Sequence, residues 1–179
     1  MLVFRLRAPT NSRAFSFNSY FFSAEFPEYV CAQFNDQFVA LVNTPNGVPS
    51  PIANPSDKNL MTYKQGGQNW PIGVNIAKGT NLFAVCEINA ACSMDNVSPS
   101  SCSLGLAQLS GTGYDKPAGQ PCAVGGATFW LTTAGNVIPG DVVELRIAIW
   151  DVGDNAYDST ALIDGFQWLP NATLPGTGN

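Results

Sequence analysis

The chain contains no histidine. That absence excludes Ser-His-Asp and Cys-His catalysis, His-ligated zinc and the usual proton shuttle near neutral pH. Charge is scarce as well: Asp, Glu, Lys and Arg make up 12% of the 179 residues, about half the usual share. Eight bases stand against 13 acids, for a net charge of −5 and a pI near 4.4. There is no basic stripe to meet phosphates, so nucleic acid is not an expected partner. Nowhere do the ~18 consecutive apolar residues of a membrane-spanning helix occur, so membrane insertion is not expected. No two cysteines have the C-x-x-C spacing of a zinc site.

What is present points to short strands. Gly and Pro number 17 and 13, a composition that suits strands joined by many turns. The length is that of one domain, enough to bury roughly 70% of the unfolded surface. Leu2, Phe4 and Leu6 alternate with Val3, Arg5 and Arg7, the period of a half-buried strand. Strands are also expected over 14–22, 35–43, 59–63, 72–76, 81–88 and 125–134, and from Val142. In the strand from Val142, Val143, Leu145, Ile147 and Ile149 share one face, with Glu144 and Arg146 on the other. Residues 44–58 hold four prolines and read as a surface loop. The expected fold is all-β, an antiparallel β-sandwich of jelly-roll type with about nine or ten strands and a loop-rich insert. It spans residues 1–168, with 169–179 as a linker-like tail.

The cysteines are Cys31, Cys86, Cys92, Cys102 and Cys122. The last four share a Ser/Gly/Pro-rich stretch that needs cross-links to be rigid. Two disulfides among them, in one of three pairings, are expected. The nested arrangement, Cys92–Cys102 inside Cys86–Cys122, is preferred because it closes one short and one long loop. Cys31 is left as a buried free thiol or the partner of a cysteine elsewhere. An oxidising, extracellular compartment follows. Arg5 and Arg7 interrupt any signal-peptide core near Met1, so for a secreted protein an artificial start, or a piece of something longer, is expected.

The candidate chemistry lies in two base-free stretches. Between Ala14 and Ser56 the only charges are Glu25, Glu28 and Asp36; between Ile147 and Asn179 they are Asp151, Asp154, Asp158 and Asp164. Both sets sit where strands meet loops, so they can converge at one end of a sandwich. Calcium takes six to eight oxygens from carboxylates, amides and carbonyls. The expected cofactor is Ca²⁺, with Glu25, Asp36, Asp151 and Asp158 as first ligands and Asp154 and Asp164 next. The competing reading is a solvated acidic loop with ordinary turn chemistry. Asp164 shares strand parity with Leu162, Phe166 and Trp168, so it is expected to point inward, where a carboxylate must be paired, protonated or metal-bound. A glycosidase would use these carboxylates with Asp164 protonated, but binding rather than catalysis is expected. Trp130, Trp150 and Trp168 read as core, and Trp70, in a Gln/Gly/Asn-rich turn, as the surface residue able to stack on a sugar.

The segments SAEFPEYVCAQFND (23–36), GGATFWLTT (125–133), IPGDVVELRIAIWDVGDNAYDS (138–159) and LIDGFQW (162–168) together resemble the choice-of-anchor L domain. This is a bacterial cell-surface and secreted family with variable attachment signals placed after a shared domain. The tryptophans and the cysteine-rich insert are most similar to myxobacterial forms. The resemblance covers residues 1 to about 168. It implies a secreted or surface location and a β-sandwich, and leaves the ligand open: a surface glycan, a protein, or a second copy joined by strand exchange at an open sheet edge. Family members usually carry residues upstream of the segment matching Leu2 to Arg7. LPGTG at 174–178 fits a sortase pattern but is expected to serve as linker.

Overall fold

The computed structural model describes residues 1–49, 51–153 and 155–178. Ten strands form among them: β1 (Leu2–Arg7), β2 (Ala14–Ser23), β3 (Gln37–Asn43), β4 (Thr62–Gln65), β5 (Gln68–Pro71), β6 (Gly126–Ala127), β7 (Leu131–Asn136), β8 (Val142–Trp150), β9 (Ser159–Leu169) and β10 (Gly176–Gly178). A single helical turn, α1 (Ile76–Gly79), and a 3₁₀ turn at 107–109 interrupt them. The all-β expectation holds.

The strands make two sheets. The smaller is antiparallel, in the order β1-β8-β3; the larger runs β5-β4-β10-β7-β2, with β6 beside β7 on one edge of β2 and β9 on the other. The alternation read in the sequence faces them toward each other. Phe15, Phe17 and Phe21 of β2 meet Phe38, Ala40 and Val42 of β3 and Val143, Leu145 and Ile147 of β8, all in one buried cluster. The phenylalanines are the largest fully buried side chains, and each contributes about 1.5–3 kcal/mol on burial.

Several local expectations are corrected. Residues 72–76 are not a strand: after a single bridge from Gly73 to Gln37 the chain turns at Val74 and Asn75 and enters α1. Residues 81–88 keep only one bridge, Val85 to Ala127. The tail is not a loose linker, because β10 lies between β4 and β7. There the buried Thr177 hydroxyl lies 2.9 Å from Thr133 Oγ1 and donates to the Leu60 carbonyl at 2.8 Å.

The insert is cross-linked, but not in the nested way. Cys86 bonds Cys102 and Cys92 bonds Cys122, so the two loops interleave. The Cys102 and Leu104 amides donate to the Phe83 and Ala84 carbonyls, laying that segment alongside 83–84 and bringing the Cys86 and Cys102 Cα atoms to 4.5 Å. Asn89 donates its amide to the Pro121 carbonyl at 2.9 Å, drawing Cys122 toward Cys92. Loop-closure entropy changes only slowly with loop length, so these local hydrogen bonds decide the pairing. Cys31 is a free thiol, and it is exposed rather than buried.

Candidate metal centre

Strand register explains why distant carboxylates meet. β3 and β8 are antiparallel neighbours, with Gln37 opposite Trp150, so the next residues outward, Asp36 and Asp151, leave the sheet side by side. β2 and β9 pair Ser23 with Ser159, and Glu25 follows two residues later. The Ala24 amide donates to the Asp158 carbonyl at 3.2 Å, closing the same corner. One carboxylate oxygen from each of Glu25, Asp36 and Asp151 falls within 4.8 Å of the others.

The corner is held from behind. The Asp36 amide donates to Glu25 Oε2 at 2.9 Å, and the Val74 amide to the Asp36 carbonyl at 3.2 Å. Gly73 permits this approach: a Cβ there would lie 2.5 Å from the Asp36 carbonyl oxygen.

Burial sets the electrostatics. Glu25 and Asp36 are each 1% exposed, and Asp151 is half-buried. Asp36 Oδ1, Asp151 Oδ1 and Ser159 Oγ are buried without a hydrogen-bond partner. None of the three ion pairs among the described residues includes Asp36 or Asp151. Desolvation pushes the Asp36 carboxyl above its ordinary range, and the neighbouring Asp151 charge adds to the rise. The Ser159 hydroxyl and Val152 amide favour the charged form, the hydroxyl through proximity rather than a well-formed hydrogen bond. Buried polar atoms are ordinarily partnered, so two orphaned carboxylate oxygens on members of one acidic group, with Ser159 beside Asp36, require an explanation. An all-oxygen donor set, with no His or Cys in it, suits a hard cation.

Of the other expected ligands, Asp158 and Asp164 are not in this group. The Asp158 side chain is exposed, and its carbonyl accepts from the Ala24 amide and the Tyr114 hydroxyl. Asp154 lies outside the described residues. Asp164 does not point into the core: Gly165, at φ +64°, sits where the β2–β9 register shifts and breaks the parity on which that expectation rested. Asp164 is exposed, and its Oδ1 accepts from the Gly165 amide at 2.7 Å. Ser159 was not anticipated as a donor; its position one residue after Asp158, at the start of a strand, was the available signal.

The tryptophans are also redistributed. Trp70 is half-buried on the core, its ring so close to Gly79 that a Cβ there would lie 2.1 Å away. Trp130 and Trp150, expected as core, are 45% and 44% exposed. Trp168 is half-buried, edge-on to Phe15 and Phe166.

A two-sheet fold with a cross-linked insert and a buried oxygen corner defines an all-β module of the kind that persists outside the cell, since disulfides fit an oxidising compartment. No helix among the described residues is long and apolar enough to cross a membrane. The model of the choice-of-anchor L domain matches residues 2–167, and the chain belongs to that family, a bacterial cell-surface or secreted module. No curated protein and no solved structure matches the chain.

Proposed function

We propose that the chain is a calcium-stabilised module of the bacterial surface, built to adhere to or display a ligand rather than to catalyse. The observation that carries this reading is the close group Glu25, Asp36 and Asp151, in which Asp36 Oδ1 and Asp151 Oδ1 are buried and unpartnered and Ser159 stands beside Asp36. A Ca²⁺ ion accepts such donors in irregular geometry and completes its shell with water. It would tie the ends of β2, β3, β8 and β9 together and offset the cost of burying Asp36 as a carboxylate. The role is a structural clasp. The exposed position of Asp164 supports binding over glycoside hydrolysis, since that carboxyl was the one a glycosidase needed to keep protonated.

Thermal melting tests the clasp. Calcium raises Tm and EDTA reverses the rise, because a ligand held only by the folded state stabilises it. An unchanged Tm at millimolar calcium would sink the proposal.

A second reading, self-association through an open sheet edge, is favoured by one observation. Among the described residues β1 pairs only with β8 and β9 only with β2, and between them lies an apolar cleft of about 370 Å³ lined by Phe4, Leu6, Phe17, Ile163, Phe166 and Trp168 among others. Unpaired edges beside apolar surface invite strand addition, here from a second copy. Light scattering after size exclusion checks it: concentration-dependent dimers that Phe4→Glu abolishes would support it, and a monomer at every concentration would reject it.

A further inference from the structure

The outer face of the larger sheet is only half covered. Asn18, Tyr20 and Phe22 of β2 alternate with the inward Phe17 and Phe21. The disulfide-bound insert lies over one end of this row. Leu106, Leu109 and Tyr114 pack on Tyr20 and Phe22, and the Tyr114 hydroxyl reaches β9 at Thr160 Oγ1, 2.9 Å away. The cover stops at Trp130. Its ring lies 5.4 Å from that of Tyr20, yet almost half its surface is open. On the far side of Tyr20, its register partner Leu162 is 46% exposed.

One step along the strands, Thr132, Asn18 and Asp164 stand abreast on β7, β2 and β9. Thr132 Oγ1 donates to Asn18 Oδ1 at 3.1 Å, which orients the Asn18 amide group. Across three strands this row spans ~10 Å, about the length of two linked pyranose rings. An indole face beside a hydroxyl, an amide and a carboxylate on a rigid sheet is the chemistry that recognises a sugar. The apolar C–H face of a pyranose stacks on the ring, and planar polar groups take its hydroxyls. The Asp164 charge disfavours an anionic polymer.

We propose that Trp130, Leu162, Thr132, Asn18 and Asp164 form a binding strip for a neutral or basic pyranose polysaccharide, with the insert as its side wall. The strip gives the ligand-binding half of the proposed function its ligand class, and rests on that half and not on the calcium clasp.

Calorimetric titration with cellohexaose, chitohexaose and maltohexaose, in calcium and in EDTA below both melting transitions, tests it. At least one hexaose binds, with the same affinity in both buffers. Trp130→Ala weakens binding roughly tenfold or more, as loss of a central aromatic anchor does. Asp164→Asn, at an exposed position that tolerates the change, also weakens it. Trp150→Ala, equally exposed but at the end of β8, leaves binding unchanged. Binding by none of the three sugars, or affinity that survives Trp130→Ala and Asp164→Asn, would overturn the strip. Sugar binding without any calcium effect on Tm would leave the strip standing and remove only the clasp.

Discussion

Two carboxylates on neighbouring strands meet opposite fates. Glu144 lies on the outward face of β8, where Arg5 and Arg146 each approach it to 2.7 Å. Their hydrogen bonds hold its carboxyl below the ordinary range. Asp36, at the mouth of β3, is buried beside Asp151 with neither in an ion pair among the described residues, and its carboxyl is pushed up. Two of the chain's eight bases pair with this carboxylate on the outer face of the sheet. A charge near the surface needs little from its partners, whereas a buried one needs a partner or a proton. The contrast sets the proposed clasp where a buried carboxyl, pushed up by desolvation, has no ion-pair partner among the described residues.

The largest expected effect comes from a cross-link that belongs to neither carboxylate. Replacing Cys86 and Cys102 by serine opens a 16-residue separation and costs about 3 kcal/mol. The calcium-induced rise in Tm survives in that variant if corner and insert are independent. Asp36→Asn comes next. At about a hundred times Kd, calcium adds ~2.7 kcal/mol to the wild type, or roughly 5–10 °C for a chain of this size. The variant loses that increment, and in EDTA it melts above the wild type because the buried charge is gone.

Acid separates the two carboxylates by sign. The folded pKa of Asp36 lies above its unfolded value, so the ion-free native state holds the extra proton between the two. The contribution of Asp36 to stability in EDTA therefore falls as pH rises through that window and is constant above it. Calcium needs the carboxylate, so its increment shrinks as pH drops toward the same window. Glu144 runs the other way: its folded pKa is lowered, and its contribution is present above the unfolded value and lost as pH falls through the folded one. Melting curves across acid pH, with and without calcium, check both directions. The smallest effect is that of Glu144→Gln, a slight loss of stability that high salt erases, since exposed pairs are screened.

Much of the corner was legible because the chain is so poor in bases. Two stretches without Lys or Arg marked Glu25, Asp36 and Asp151, and strand ends implied that they could meet. The choice among seven acids was not legible, because it depends on register. Asp36 faces Asp151 only through the pairing of Gln37 with Trp150, and Asp164 turns outward only through the shift at Gly165. Ser159 became visible once β9 was aligned on β2. The disulfide pairing followed hydrogen bonds between segments of irregular structure, which have no period to read. Trp130 shares its run with inward-facing residues, and its exposure depends on where the insert ends.

The central claim, that Glu25, Asp36 and Asp151 hold a calcium ion, is tested most directly by calorimetric titration of Ca²⁺ into the EDTA-stripped, dialysed wild type and Asp36→Asn at neutral pH. The account predicts one saturable site in the wild type and none in the variant. Equal heats in the two proteins, or no saturable site in the wild type at millimolar calcium, would contradict it.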